Sequence, residues 1–195
     1  MKPRSRKAKG RRLQRRVAEM VTRAFSLEPG EAVSCPMSVA GPDVLLSGPA
    51  RAKFPFRVEC KNQERLGLWG AWGQASRPPV PEGVYPLLVA SRNRGPVVAV
   101  VELGVLDWVI RGRGAAAPSP VTGGAPPAGR AVRRVARYYP HLVWLWGATR
   151  VELWGAWRYT TGSTPGGEPP VAVVSRGPDG PMVVCLEFDV LLELL

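Results

Sequence analysis

The chain has 195 residues, 45% of them hydrophobic, which is enough for one large domain or two small ones around a real core. Its 27 Lys and Arg against 15 Asp and Glu give a formal charge of +12 and an isoelectric point near 10.6, a balance that favours a polyanionic partner, nucleic acid first. A single histidine (His141), three scattered cysteines (Cys35, Cys60, Cys185) and no GxxxxGK[ST] loop argue against histidine-based catalysis, zinc sites, a disulfide framework and a P-loop ATPase.

Nine basic residues and no acid crowd the first sixteen positions, and the charge runs directly into a helical pattern over Lys9–Phe25, where Leu13, Val17, Met20 and Ala24 recur three and four apart. A basic arm gripping phosphates is the reading taken for Lys7, Lys9, Arg11, Arg12 and Arg15. Pro29 and Gly30 end the helix, and short strands are predicted over Ala32–Met37, from Asp43 to Ser47, and over Phe54–Cys60. A helix over Glu64–Ala75, a Pro-rich loop over Arg77–Gly83, strands over Tyr85–Ser91 and Val97–Glu102, and an apolar segment over Val105–Ile110 complete the first half. There is no signal-like or membrane-length apolar run, so a cytoplasmic protein is expected, with no membrane partner.

Residues 113–129, rich in Ala, Pro and Gly, read as a linker between a first domain over 1–112 and a second over 130–195. The second repeats the first: Leu68-Trp69-Gly70-Ala71-Trp72 returns as Leu153-Trp154-Gly155-Ala156-Trp157 at an offset of 85, which also aligns Phe54-Pro55 with Tyr139-Pro140 and Glu102 with Glu187. Ser91-Arg92 matches Ser175-Arg176 after a one-residue shift, and a short helix over Arg130–Arg137 reads as a shrunken form of the first helix.

Phosphodiester hydrolysis needs an activated water and neutralisation of charge on the phosphate, and metal ions held by carboxylates supply both. Asp43 opens one predicted strand. Glu59 and Lys61, two apart on the next, project to one face, so adjacent strands can bring all three together. Asp43, Glu59 and the backbone carbonyl of Cys60 make an incomplete oxygen shell suited to Mg²⁺, with Mn²⁺ as the alternative, and leave Lys61 to orient water or stabilise the transition state. In the second copy Glu59 aligns with Trp144, Lys61 with Trp146 and Asp43 with Ala128, so that copy lacks this chemistry. Core filling is the expected role of its two tryptophans, with stacking on unpaired bases as the other reading.

Gly41-Pro42-Asp43, the run Phe54-Pro55-Phe56-Arg57-Val58-Glu59-Cys60-Lys61-Asn62-Gln63-Glu64, a following helix with Gln74, and Lys9-Gly10-Arg11-Arg12-Leu13-Gln14 at the start together resemble the PD-(D/E)XK nucleases over about residues 7–105. They are similar in particular to the phage-encoded and archaeal Holliday-junction resolvase-like members, and the closing Cys185-Leu186-Glu187-Phe188-Asp189 also resembles how the phage members end. The resemblance implies a restriction-endonuclease-like α-β-β-β-α-β core within a mixed α/β (α+β) fold, followed by a degenerate second αβ copy. It gives Gln74 a role in orienting the lysine or a phosphate and adds Asn62 to the DNA-binding set. Relatives often carry a metal-holding glutamate on the first helix. Gln14 stands in its place here, and Glu19, five residues on, is turned about 140° away.

The function so implied is a Mg²⁺-dependent endodeoxyribonuclease acting on branched or otherwise structured DNA in recombination, repair or phage genome processing. The reading from a different class is a non-catalytic nucleic-acid-binding protein on a nuclease fold. Two assemblies stay open: a homodimer, as in resolvase-like relatives, or a monomer whose second copy stands in for a partner.

Overall fold

The structure is a computed structural model that describes residues 3–36, 39–77, 79–112, 128–177 and 180–195. Of the expected linker, 113–127 lie outside the described residues, as do Met37 at the end of a predicted strand and Pro78 in the Pro-rich loop.

Helix α1 (Pro3–Ala24) buries Leu13, Val17, Ala18 and Val21, a stripe that passes through Val21 and leaves Ala24 exposed. β1 (Ala32–Ser34) and β2 (Val44–Leu46) form a separate antiparallel ribbon rather than joining the main sheet. The N–H of Asp43 donates to the carbonyl of Val58 (2.9 Å), and this bond ties the ribbon to the next strand. Between them lies a helix the sequence reading passed over, α2 (Gly48–Lys53), which Ser47 caps by accepting from the Ala50 N–H (3.2 Å) while Pro49 occupies the first turn. Phe54 closes α2, so β3 runs over Phe56–Asn62 rather than from Phe54.

α3 (Leu68–Ala75), β4 (Tyr85–Ser91), β5 (Val97–Glu102) and α4 (Leu103–Ile110) complete the first half. The second contains α5 (Ala128–Tyr138), β6 (Val143–Leu145), α6 (Leu153–Ser163), β7 (Val171–Ser175), β8 (Met182–Glu187) and α7 (Phe188–Leu194). The protein is thus a mixed α/β protein whose described residues form seven helices and one six-stranded mixed sheet, in the order β3-β4-β5-β8-β7-β6. β3 and β4 are parallel, as are β6 and β7, and the other pairings are antiparallel. β4, β5, β7 and β8 are covered on both faces, which is why they read as unbroken apolar runs.

The two halves are related by a two-fold axis through the sheet. Where β5 meets β8, Val100 faces Cys185, its own equivalent 85 positions on. Val98 faces Glu187 and Glu102 faces Val183, a pair of pairs that the 85-residue offset exchanges. Above the sheet Gly67 bridges to Glu152, flanked by Leu68 N–H to Val151 C=O (2.9 Å) and Leu153 N–H to Leu66 C=O (2.8 Å). The indole of Trp69 donates to the carbonyl of Ala148 (2.6 Å), and that of Trp154, its equivalent, to the carbonyl of Gln63 (2.8 Å). On the opposite face α1 packs on α7 and α5 on α4, so α5 holds the place of α1 in its own half. A symmetric dimer makes isologous contacts of this kind, here within one chain.

One apolar layer lies between the sheet and α1, α4, α5 and α7, with Val17, Phe56, Leu106, Val135 and Phe188 in it. The other lies under α3 and α6, with Leu68, Trp72, Leu88, Trp154 and Trp157. Both draw on both halves. No helix among the described residues is long and apolar enough to cross a membrane.

Candidate active site

β3 is an edge strand, and alternation along it sets the site. Phe56, Val58 and Cys60 turn into the layer beneath α1, which leaves Glu59 and Lys61 on the opposite face, the side of α3. Lys61 Nζ donates to Glu59 Oε1 at 2.6 Å, with both side chains about four-fifths buried. Asp43 comes to the free edge of the same strand, where its Oδ2 accepts from the Cys60 N–H at 2.6 Å. Gln14 lies on the core-facing side of α1, three and seven residues before Val17 and Val21, and its Nε2 donates to Asp43 Oδ1 at 2.5 Å. Gln14, Asp43, Glu59, Lys61 and the Cys60 peptide therefore meet at one end of β3.

Burial pushes the Asp43 carboxyl above the usual range. The charge of Glu59 adds to this, while the Cys60 N–H, Lys61 and Gln14 oppose it. Burial, reinforced by Asp43 and Glu59, raises the Cys60 thiol well above its usual value, so Cys60 offers its peptide and not a thiolate nucleophile. Gln14 Oε1 is buried without a hydrogen-bond partner. The amide orientation is fixed by Asp43, since turning it over would set Oε1 against a carboxylate. An orphaned carbonyl oxygen beside the part-buried Asp43 carboxylate, with the charge of Glu59 close by, is a local excess of acceptors, which a cation would satisfy. Among the described residues no group of three or more His, Cys, Asp or Glu could hold a metal ion. Any metal shell here would therefore draw on Asp43, Glu59, the Cys60 carbonyl and Gln14 Oε1, with water completing it.

Beside this cluster, α1 and the β4–β5 turn enclose a groove lined by Lys9, Arg12, Arg16, Asn62, Arg92 and Arg94. The sequence reading had Lys9, Arg12 and Asn62 but passed over Arg16, Arg92 and Arg94. Lys9, Arg12 and Arg16 are spaced three and four apart and share one face of α1, a signal that was present in the sequence. Arg94 adopts a left-handed backbone (φ 53°), a conformation costing a side-chain-bearing residue roughly 1–2 kcal/mol. Arg92 reaches over the ring of Trp154 from the second half, 5.3 Å from its centroid.

Other expected residues lie apart. Lys7, Arg11 and Arg15 are exposed on α1 outside the groove, and Glu19 is exposed too. Gln74 is exposed on α3, on the same side of the sheet as Glu59 and Lys61, with no side-chain hydrogen bond to either. The expectation that Trp144 and Trp146 fill a core is corrected: they are 36% and 55% exposed. Trp144 lies on β6, the other edge strand, and Trp146 one residue beyond it, and the register with β7 turns Trp144 to the Val173 face, that of α1 and α5, and Leu145 to the face of Glu59 and Lys61. No family model matches the chain, and no curated protein or solved structure matches it either.

Proposed function

We propose that the chain is a Mg²⁺-dependent endodeoxyribonuclease of the PD-(D/E)XK kind, acting on branched or otherwise structured DNA, with Mn²⁺ as an alternative ion. The observation that carries this reading is the meeting of Asp43, Glu59, Lys61 and the Cys60 peptide at the free end of β3, with the orphaned Gln14 oxygen beside them. Asp43, Glu59, the Cys60 carbonyl and Gln14 would hold the ion. When bound, it supplies charge neutralisation at the phosphate and lowers the pKa of water.

The chain's own groups do the rest. The Cys60 N–H and Gln14 hold the Asp43 carboxylate in one orientation, and Lys61 is held by Glu59 where its ammonium can orient the attacking water or stabilise charge on the phosphate. Lys9, Arg12, Arg16, Arg92 and Arg94 bind the flanking phosphates and set the strand against the cluster. The second copy stands in for the partner subunit of a dimeric resolvase, which supports a monomer with one catalytic site. Gln74 is left a minor role at the rim.

The test is cleavage of labelled four-way junction, flap, single-stranded and duplex DNA with Mg²⁺ or Mn²⁺ by wild type, Asp43→Ala and Lys61→Ala. Metal-dependent cutting lost in both variants is expected. Binding without cutting of any substrate would favour the non-catalytic reading instead.

A further inference from the structure

The second copy has lost its acids and lysine in a specific way. The sequence offset of 85 sets Trp144 and Trp146 against Glu59 and Lys61, but the strand register puts Val143 and Leu145 in those places, and the two tryptophans flanking Leu145 are exposed on the other face. Of the other tryptophans, Trp72, Trp108, Trp154 and Trp157 are 8% exposed or less and Trp69 is partly buried, while Tyr138 on α5 is exposed as well. The rings of Trp144, on the outer strand, and Trp146, one residue past its end, lie 5.9 Å apart between centroids and within 15° of parallel. Exposed apolar area of this kind is unfavourable in water unless something covers it.

Charge points to the occupant. Residues 128–163 carry six arginines and one acid, Glu152, and that acid is occupied in capping α6 and accepting from the Leu66 N–H. Of the arginines, Arg134 is paired with Asp107, while Arg130, Arg133, Arg137, Arg150 and Arg158 are exposed. Flat aromatic faces set among cations are what unpaired bases on a phosphate backbone require. The register with β7 sets Trp144 beside Val173, on the face of α1 and α5, so the tryptophans lie at the opposite edge of the sheet and on the opposite face from Glu59 and Lys61, which sit beside Leu88 and Ala90. Five interstrand steps of about 4.8 Å separate the edges, about 24 Å in all.

We propose that Trp144 and Trp146, on the α5 face at the sheet edge opposite the candidate active site, form a stacking site for unpaired bases of the bound DNA, with the exposed Arg130, Arg133 and Arg137 of α5 for its phosphates. Stacking uses the outer faces of the pair, since rings 5.9 Å apart leave no room for a base between them. The second half thereby recognises a departure from duplex, and the first carries the chemistry. This rests on the nuclease reading for what is cut, but not for what is bound.

The experiment measures binding of the full chain in EDTA to three fluorescent probes: a 20-nucleotide single strand, a flap with an unpaired arm, and a blunt duplex. Trp144→Ala/Trp146→Ala should weaken binding of the strand and the flap by about 5- to 150-fold per stacked base and leave duplex binding within about twofold. Trp144→Phe/Trp146→Phe keeps flat faces and should restore most of the loss. Equal weakening on all three probes, or none, overturns the proposal. So does a sedimentation result in which wild type is a dimer and the alanine variant a monomer, since the tryptophans would then cover a second copy of the chain. Failure of wild type to bind any of the three would sink the nuclease reading as well. Cleavage that proceeds unchanged beside unchanged flap binding in the alanine variant would remove the stacking site alone.

Discussion

Trp154, in the second half, donates its indole N–H to the carbonyl of Gln63, the residue that follows β3 in the first. It is 1% exposed, and Arg92 from the groove lies against its ring. The half without catalytic residues therefore holds two parts of the candidate active site from below: the backbone just beyond Lys61 and a cation of the groove.

Trp154→Phe removes that N–H and leaves the Gln63 carbonyl unpaired, for an expected loss of about 1–3 kcal/mol. Trp154→Ala adds a cavity and the lost cation–π contact, and about 3–5 kcal/mol is expected. Urea unfolding of the two variants checks both, with the added expectation that hydrogen exchange at 62–64 accelerates in each. An unchanged exchange rate there would deny the supporting role.

Burial holds the Asp43 carboxyl above its usual value, so the folded protein binds that proton more tightly than the unfolded chain does. The stability this adds is complete below the unfolded value, near 3.9, and is lost as pH rises through the folded one. At neutral pH the ionised carboxylate is therefore a net cost in metal-free protein. Asp43→Asn should raise the melting temperature in EDTA at pH 7, since Gln14 can turn its amide over and present Oε1 to the new donor. About 2–4 °C corresponds to each kcal/mol gained in a chain of this size. Mg²⁺ should stabilise wild type and not the variant. Calorimetry with and without Mg²⁺ at pH 4 and 7 decides the matter, and the gain in EDTA should shrink at the lower pH.

Lys61→Ala is expected to separate activity from stability. Its pairing with Glu59 is about four-fifths buried, and losing it leaves that carboxylate without its partner, so a cost of about 1–3 kcal/mol is expected. On the nuclease reading, single-turnover cleavage should fall by about 10²–10⁴. Unfolding and cleavage measured on the same preparation show whether the two effects part.

In the groove, Arg12→Ala and Arg94→Ala should each reduce the slope of log K against log salt by about 0.9 on duplex DNA, one phosphate contact apiece. Arg11→Ala, exposed outside the groove, should leave the slope closer to that of wild type. Binding titrations between 50 and 200 mM salt distinguish the two positions.

The first half alone, residues 1–112, would present β5 as a bare edge with Val98 and Val100 uncovered. The register with β8 places Val100 on the two-fold axis, so a second copy of β5 can pair in the same way, Val100 against Val100. Light scattering after size exclusion should find this fragment as a symmetric dimer rather than a monomer. A well-folded monomer would mean that β5 does not need a partner strand.

Much of this was legible in the sequence wherever the signal was local. β4 and β5 have the predicted bounds, because an unbroken apolar run ended by a turn has few alternatives. The spacing of Glu59 and Lys61 sets their common face, whatever the strand is paired with. The position of Gln14 came from resemblance, and its place against Asp43 follows from the Val17–Val21 stripe that turns that side of α1 inward. α2 was missed because six residues opening with Gly48-Pro49 carry no helical period. Arg92 and Arg94 were missed because a turn brings them beside α1 from some eighty residues away, a distance no periodicity spans. The fate of Trp144 and Trp146 was misread for a related reason. Hydrophobicity says that a side chain gains by burial, but only the packing around an edge strand says whether anything arrives to bury it.

The Gly67–Glu152 bridge has one more consequence. In an assembly of two identical subunits, every substitution is made twice, and the residue on the axis must be compatible with itself. Here the two sides are separate codons. Glycine can serve as the extended entry to α3, while glutamate in the same place caps α6 and accepts from the backbone of the other half. A change at one edge of the sheet has no obligatory echo at the other, so selection can act on the two edges one at a time.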